Sequence, residues 1–514
     1  MLIDTVIFLP LATALVLMLV PRRATAAQKG IAFGGALATF FLSLTFLTLG
    51  VGTAADQSVP WISGTWVAAY HVRVDALRLF FVLLTTLVGV ACVWAAFSYA
   101  QQPRLRGYLC LILAFETTLL GLFTAADLLL FYIYWDLMLI PVFLLLTGFS
   151  GTQAARRAAW SYLIYNGAGG LVLLLGIIAL VTQTHTFEVG GSALNLSPQL
   201  EWWIFAAFAI AFLIKTPAFP FHSWMPPTYT HAPPPVVAMV SGVQSKAGLF
   251  GLLAFALPLF PHAAQTWAPL LLVLGVASIL YGALAAMGEQ DAKTLVAFSS
   301  LSHLGLVWLA LFAFDITSIS AGILMIVSHG LIAAALFLLL GFIEERVGTR
   351  DLARFGGMSH RAPRLAVMML IAAMAALGLP GLSGFAGEFL ILIGSWQTQP
   401  LATSFALISV VLACVYMLKL FQSTMYGPER VPHPGAALEL RAREAWLVAP
   451  LLAAIVFLGV WPGWLNDRTP NVVARIHSRV NVAADLQVRL ARIHLGPNVV
   501  ARIYSRAHDV GHEL

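Results

Sequence analysis

Six ionisable side chains stand in stretches of the sequence that are otherwise apolar. They are Asp136, Lys215, Lys246, His303, His329 and Glu388. An ionisable residue inside an apolar membrane segment is costly, and its default interpretation is a role in ion transport. Lysine, histidine and carboxylate side chains can each gain or lose a proton when their surroundings change. The six residues therefore predict a buried proton path.

Lys215 is the strongest of these candidates because the chain must break beside it. Pro217 and Pro220 follow it closely, and proline lacks the backbone N–H that a continuous helix needs. Asp136 lies in another apolar stretch, residues 131–141, where a carboxylate costs several kcal/mol unless it is paired or protonated. If Asp136 pairs with a lysine, an arriving proton would weaken the attraction between the two side chains, and the pair would act as a switch. The alternative is a static salt bridge between helices.

The remaining candidates extend this path. Lys246 has no acid near it in sequence and suits a lysine that accepts and releases protons, whereas snorkelling to a membrane surface is the alternative. His303 and His329 fall in neighbouring spans between a lysine and a glutamate, which favours a relay over packing or haem ligation. Glu388 has glycines beside it that admit water or another helix, so it is predicted as the far end of the path rather than a static polar contact. Glu116 is also in an apolar span but has no assignable partner.

The composition predicts an all-α polytopic membrane protein. The chain is 60% hydrophobic and 10% charged, against about 25% charged residues in soluble domains. Apolar runs of about twenty residues recur along it and give about 14 transmembrane helices within residues 1–465. The predicted spans begin near Leu2, Ile31, Leu77, Tyr108, Asp127, Trp160, Trp203, Val236, Ala268, Leu295, Ser318, Leu365, Thr403 and Trp446.

Two of these spans are interrupted, one in each half of the chain. The first break follows Lys215, and the second is the run of glycine, proline and serine at residues 377–384. Interrupted helices in corresponding positions are typical of two inverted repeats with binding sites near the membrane midplane. The sequence therefore predicts two inverted repeats, each with a broken helix.

The sequence lacks patterns typical of redox and nucleotide chemistry. Its three cysteines, Cys92, Cys110 and Cys414, have no ligand-like spacing, and it has no glycine-rich phosphate loop and no catalytic triad context. We therefore expect no cofactor and no metal in this chain, which should move ions while a partner supplies the energy.

Loop charges predict the orientation. With the N-terminus outside, sixteen cations fall in cytoplasmic loops, and only Arg73 and Arg78 fall in outer loops before the tail. Because cytoplasmic loops carry the excess of Lys and Arg, both termini are predicted to lie outside. The sixteen are Arg22, Arg23, Lys29, Arg104, Arg106, Arg156, Arg157, Lys293, Arg346, Arg350, Arg354, Arg361, Arg364, Arg430, Arg441 and Arg443.

Residues 466–514 form a separate basic tail with an internal repeat. Residues 470–479 and 497–506 are nearly identical, and arginines alternate in them with valine and isoleucine. The pattern fits a short amphipathic surface helix, and a solvated or disordered extension is the alternative. The seven arginines of the tail would lie outside, whereas Lys and Arg are otherwise concentrated in the cytoplasmic loops. We therefore expect the tail to contact a neighbouring subunit or lipid, unless the span count is off by one.

Residues 211–226, 291–305, 328–330 and 378–389 resemble the antiporter-like subunits of respiratory complex I, the proton-pumping NADH:quinone oxidoreductase. The resemblance extends over residues 1–465. Glu388 stands where the N and L types of these subunits carry a lysine, so the chain looks like the M type. By this resemblance, Asp136 is the half-channel acid, Lys215 and Lys246 are the central lysines, His303 and His329 link the halves, and Glu388 is the exit acid.

The resemblance implies a subunit of a bacterial inner-membrane translocase of the respiratory chain. It would move H⁺ outward, driven by quinone reduction elsewhere in the complex. FMN, iron–sulfur clusters and quinone would belong to partner subunits, with L-type and N-type subunits on either side, lipid around them and no nucleic acid. The alternatives are a subunit of a multi-subunit Na⁺/H⁺ antiporter or an energy-converting hydrogenase, and a non-pumping membrane scaffold.

The chain departs from the family pattern at three positions. Asp136 replaces the usual glutamate and is one methylene shorter, so contact with Lys215 needs closer helices or a water. Ser161 stands where a lysine is common, and His231 where an acid is common. The aspartate bears on the efficiency of pumping and not on the fold.

Overall fold

Apolar helices follow one another along the chain in the computed structural model, which describes residues 2–48, 54–99, 104–188, 196–430 and 438–481. Thirteen helical segments of these residues are long and apolar enough to cross a membrane. The predicted all-α polytopic fold class is therefore confirmed. The relation of the two halves as inverted repeats stays a prediction.

The first half of the bundle contains helices α1 (Leu2–Leu19), α2 (Thr25–Leu44), α3 (Ala76–Tyr99), α4 (Leu105–Thr124), α5 (Leu128–Leu137), α6 (Leu139–Phe149), α7 (Gln153–Thr184), α8 (Pro198–Lys215), α9 (Met225–His231), α10 (Pro234–Gly242), α11 (Ala247–Gly251) and α12 (Leu257–Leu259). The second half contains α13 (Pro261–Gly288), α14 (Ala292–Phe312), α15 (Ile316–Val347), α16 (Met358–Arg361), α17 (Pro363–Leu377), α18 (Ser383–Thr398), α19 (Pro400–Met425), α20 (Ala442–Val460) and α21 (Gly463–Asn466).

Aspartate side chains begin three of these helices. Asp127 accepts hydrogen bonds from the first backbone N–H groups of α5, Asp291 does so for α14, and Asp315 for α15. These groups have no partner inside a helix, so an aspartate that accepts from them fixes where the helix starts. The caps fix the first residues of α14 and α15 and therefore the positions along these helices of the two candidate histidines.

Both predicted helix breaks are present. Helix α8 ends at Lys215, and the chain resumes as α9. Helix α17 is a 15-residue helix, too short to span a membrane by itself. It ends before Gly378, which has a positive φ of 82°, and α18 follows it. The pair α17 and α18 occupies the place of the predicted span that begins near Leu365.

A third break was not predicted. Between α10 and α11 the chain makes a 3-10 turn at Gln244–Lys246, with Val243 at φ −123° and ψ −59°. A π-helical turn at Leu252–Ala256 follows α11. The span Pro234–Leu259 is thus helical over its length but irregular beside Lys246.

An antiparallel hairpin is the other element that the sequence analysis missed. Its strands are β1 (Ala55–Ile62) and β2 (Ala68–Val74). The hairpin region also pairs with the loops after α4 and α7, through Val72 with Ala125 and Val67 with Thr186. We call this end of the bundle the hairpin face.

The tail begins on the hairpin face as a helix. Residues 470–481 are helical, and Val473, Ile476 and Val480 are buried. Arg479 Nη1 donates to the carbonyl of Pro258 over 2.7 Å, and Gln265 Nε2 donates to the carbonyl of Val480. The first copy of the repeat therefore packs on the body of its own chain, and the second copy lies outside the described residues.

The opposite end of the bundle, which we call the basic face, gathers cations of the loops. Lys293 Nζ lies 2.5 Å from Glu344, and Arg350 Nε lies 2.9 Å from Asp291. Further ion pairs there join Arg346 to Glu444 and Arg361 to Glu429. These pairs join α14 to α15 and α15 to α20, and they join α16 to the loop between α19 and α20.

Close packing of α13 on α14 predicts a sharp effect of one methyl group. A Cβ atom at Gly282 would lie 2.7 Å from the backbone nitrogen of Ser302 and 2.9 Å from the carbonyl oxygen of Phe298. Because backbone atoms cannot rotate away, we expect Gly282→Ala to destabilise the protein by about 1–3 kcal/mol, as overpacking does. The thermal unfolding midpoint in detergent should fall accordingly.

Gly288→Ala in the same helix is the matched control, because nothing lies within 4 Å of its added methyl group. Equal midpoints for the two variants would contradict the close approach of α13 and α14.

Candidate functional site

Lys246 lies at the unpredicted break between α10 and α11. Its side chain is fully buried, with 0% of the residue exposed, so the snorkelling alternative is wrong. The ammonium nitrogen donates to the Ser241 carbonyl and to Ser245 Oγ over 3.1 Å, and lies 2.8 Å from His329 Nδ1. The Ser241 carbonyl belongs to the last turn of α10, where carbonyl groups lack partners within the helix. The break thus supplies acceptors for a buried cation.

The two candidate histidines continue from Lys246. The ring centroids of His329 on α15 and His303 on α14 are 5.6 Å apart. His303 Nε2 lies 3.3 Å from Glu388 Oε1, which is within ion-pair distance. The two atoms do not form a hydrogen bond, and Nε2 has no other hydrogen-bond partner among the described residues. All four side chains are buried. We call Lys246, His329, His303 and Glu388 the buried row.

The second helix break shapes the end of this row. Glu388 is in the second turn of α18, and its carboxylate lies against Gly378. A Cβ at Gly378 would lie 2.6 Å from Glu388 Oε2. Glycine at this position therefore serves two needs, since it adopts the positive φ and leaves room for the carboxylate.

Lys215 and Asp136 lie together at the first break but are not joined directly. Lys215 is the last residue of α8, and its Nζ donates to the Trp135 carbonyl over 3.5 Å and lies 4.6 Å above the Trp135 ring. Asp136 forms no ion pair with Lys215, and its Oδ1 has no hydrogen-bond partner within the described ranges. The carboxylate lies instead beside Gly170, where a Cβ would come 2.2 Å from Oδ1. The direct pair of Asp136 with Lys215 is therefore not formed, either as the predicted switch or as a static salt bridge, because Lys215 turns to Trp135 and the shorter aspartate does not reach it.

Polar atoms occupy the region between the first break and the third. Asn166 Oδ1, Thr216 Oγ1 and Gln244 Oε1 are buried and find no hydrogen-bond partner among the residues described. Gln244 also donates to the hydroxyl of Tyr162. Buried polar atoms in proteins are nearly always hydrogen-bonded, to protein or to water. This region therefore suits a hydrated connection between Lys215 and Lys246.

A cavity of about 570 Å³ opens on the basic face. Charged or titratable groups in its wall include His231, Lys293, Glu344 and Arg350. Burial, and next the charge of Arg350, lower the pKa of His231, so this histidine is neutral at pH 7. The sequence analysis counted Lys293 and Arg350 only as loop cations. The run of residues 291–305 was a signal for Lys293, whereas Arg350 joins the site through its ion pair with Asp291, which the sequence does not show.

Glu116 remains apart from the buried row. It is fully buried, and both carboxylate oxygens lack hydrogen-bond partners in the described part of the chain. A Cβ at Gly89 would lie 2.5 Å from its Oε1. Within the same ranges, no three His, Cys, Asp or Glu side chains form a group that could hold a metal ion.

Comparisons of sequence show the family to which the chain is similar. The family model described as "NADH:quinone oxidoreductase/Mrp antiporter, TM" matches residues 125–414. NADH-quinone oxidoreductase subunit M of Rickettsia prowazekii is 32% identical over 472 residues, which cover 90% of this chain and 95% of that protein. Subunit M of Pseudomonas aeruginosa is 37% identical over 416 residues, 79% of this chain and 81% of that protein.

Solved structures share the fold. A chain of respiratory complex I from Thermus thermophilus with bound NADH superposes with a TM-score of 0.84 at 30% identity, covering 93% of this chain and 100% of that one. A chain of the Mrp complex from Dietzia sp. gives a TM-score of 0.85 at 22% identity, covering 94% and 99%. The second likeness concerns the fold alone.

Proposed function

Because the chain belongs to the NADH:quinone oxidoreductase/Mrp antiporter family of membrane proteins, we infer that it is a proton-translocating membrane subunit of an NADH:quinone oxidoreductase. The observation that carries this proposal is the buried row. Lys246, His329, His303 and Glu388 come from four separate helical segments and meet in one line of contacts. A structural role in packing would not require four ionisable side chains in succession.

Protons enter, in this proposal, from the cavity on the basic face. They reach Lys215 and Lys246 through the polar region between the first and third breaks, and leave past His329, His303 and Glu388. The concentration of cations on the basic face supports a cytoplasmic position for it. The exit would then be outward, and both termini would lie outside.

The energy for this transfer would come from quinone reduction in partner subunits. Asp136 and Lys215 would receive it as a change in their separation, since they lie near each other without an ion pair. The complex would lie in a bacterial inner membrane with L-type and N-type subunits on either side. FMN, iron–sulfur clusters and quinone would be held by other subunits.

Removing a central lysine should stop transfer. For Lys215→Met and Lys246→Met we expect NADH-driven proton uptake to fall by roughly a hundredfold or more, because positioned proton-transfer groups contribute factors of that size. The measurement is uptake into vesicles that hold the assembled complex, with the sodium concentration varied.

Lys419→Met is the control. Lys419 Nζ donates to the carbonyls of Met287 and Glu289, away from the buried row, so its loss should leave uptake per assembled complex near wild type. Uptake that survives Lys215→Met and Lys246→Met would support a scaffold instead. Sodium/proton exchange that NADH does not drive would move the chain to the antiporter class.

Alanine substitutions at two neighbouring glycines distinguish the effect of backbone strain from the effect of moving Glu388. Gly378 and Gly381 both have positive φ, so alanine at either should cost about 1–2 kcal/mol. Only Gly378→Ala also displaces the Glu388 carboxylate, because nothing lies within 4 Å of a Cβ at Gly381. We expect similar losses of thermal stability from both and a severalfold loss of proton uptake from Gly378→Ala alone. Equal uptake by the two variants would refute a role for the position of Glu388.

The length of the acid at residue 136 sets its reach toward Lys215. Asp136→Glu adds one methylene and brings the carboxylate closer to Lys215, so uptake should be retained or increased. Asp136→Asn removes the charge and should lower uptake by roughly a hundredfold. Both are measured as initial uptake rates at equal amounts of assembled complex. Wild-type rates for Asp136→Asn would exclude this carboxylate from the path.

A further inference from the structure

A small cavity on the hairpin face is lined by four arginines. Its volume is about 110 Å³, and Arg73 and Arg78 contribute to its wall together with Arg475 and Arg479 of the tail helix. Asp75 also lines it, as does the half-buried His71. The π-helical turn Leu252–Ala256 provides apolar atoms beneath the arginines.

Arg78 is a built part of this site and not a mobile surface side chain. It is 7% exposed, its Nη1 donates to Asp75 over 2.6 Å, and its Nη2 donates to the Ala125 carbonyl over 3.2 Å. Its Nε is buried and has no hydrogen-bond partner among the described residues. A buried guanidinium donor without a partner is costly, and an anion in the cavity would satisfy it.

The charges around the cavity favour an anion. Burial alone would raise the pKa of Asp75, but the charge of Arg78 and its hydrogen bonds lower it, so this carboxylate is ionised. Four arginines and one carboxylate line the cavity, so its wall carries more positive than negative charge. Arg479 also interacts with other groups of the chain, which offsets part of this excess. Arg73 also lies 3.6 Å from Asp56, outside the lining, which offsets part of this excess.

The size of the cavity restricts the ligand. Pockets for whole organic ligands are usually about 300–1,000 Å³, and this one is much smaller. Phosphate oxygens match the planar fork of arginine, which binds them in pairs. A single phosphate group is therefore the anion that the size and the donors fit.

We propose that this cavity binds a phosphate group, and that the tail helix completes the site with Arg475 and Arg479. The phosphate belongs either to a phospholipid head group of the leaflet on the hairpin face or to free inorganic phosphate. The proton path uses neither arginine. The site therefore gives a role to the first copy of the repeat, residues 470–479, which the proposed function leaves unexplained.

Hydrogen exchange of residues 470–481 tests the site in the assembled complex. The complex is placed in nanodiscs of phosphatidylcholine, and either phosphatidylglycerol or inorganic phosphate is added, with sodium chloride at equal ionic strength as the reference. Binding at ten times the dissociation constant should slow exchange of this peptide roughly tenfold. Slowing by phosphatidylglycerol alone identifies a lipid head group, and slowing by inorganic phosphate identifies the free anion.

Arg475→Gln is the test variant, because its exposed side chain lines the cavity while Arg479 keeps the helix attached through Pro258. We expect it to abolish the slowing without faster exchange in phosphatidylcholine alone. Arg502→Gln makes the same change in the second copy of the repeat and should behave as wild type. The proposal is overturned if neither phosphate source slows exchange in wild type, or if Arg475→Gln responds as wild type does.

Discussion

The buried ammonium group of Lys246 requires acceptors inside an apolar bundle, and a broken helix provides them. The Ser241 carbonyl and Ser245 hydroxyl come from the break itself, and His329 comes from the neighbouring helix. A continuous helix would use its carbonyls for its own hydrogen bonds. The rest of the row depends on this arrangement, because His329 is held by Lys246 on one side and approaches His303 on the other.

The other two breaks also accommodate a buried ionisable side chain, but through different contacts. At the first, Lys215 ends its helix, where the dipole favours a cation and the face of Trp135 adds to it. At the second, Gly378 turns the chain and leaves space for Glu388. Each interruption of backbone hydrogen bonding therefore lies where an ionisable side chain must be kept at membrane depth, which is the condition under which irregular backbone is tolerated there.

Much of this could be predicted from the sequence, because apolar runs, prolines and glycines act locally. The spans and the breaks after Lys215 and Leu377 were predicted on that basis. The break before Lys246 has no proline inside it, and Gln244 instead bonds to Tyr162 on a distant helix. The hairpin and the docking of residues 470–481 likewise depend on contacts between segments remote in sequence. Periodicity carries no information on such contacts.

The two halves of the path differ in continuity, and this difference bears on coupling. From Lys246 to Glu388 the ionisable side chains of the proposed path follow one another at short distances, although only Lys246 and His329 are joined by a hydrogen bond. Between Lys215 and Lys246, by contrast, lie buried polar atoms that find no hydrogen-bond partner among the described residues, such as Thr216 Oγ1. A conducting path that must also be driven needs one connection that can be opened and closed. In the proposed path, Asp136 and Lys215 stand at the entrance to that connection without a direct ion pair, so a small change in their separation would act on the least continuous part of the path.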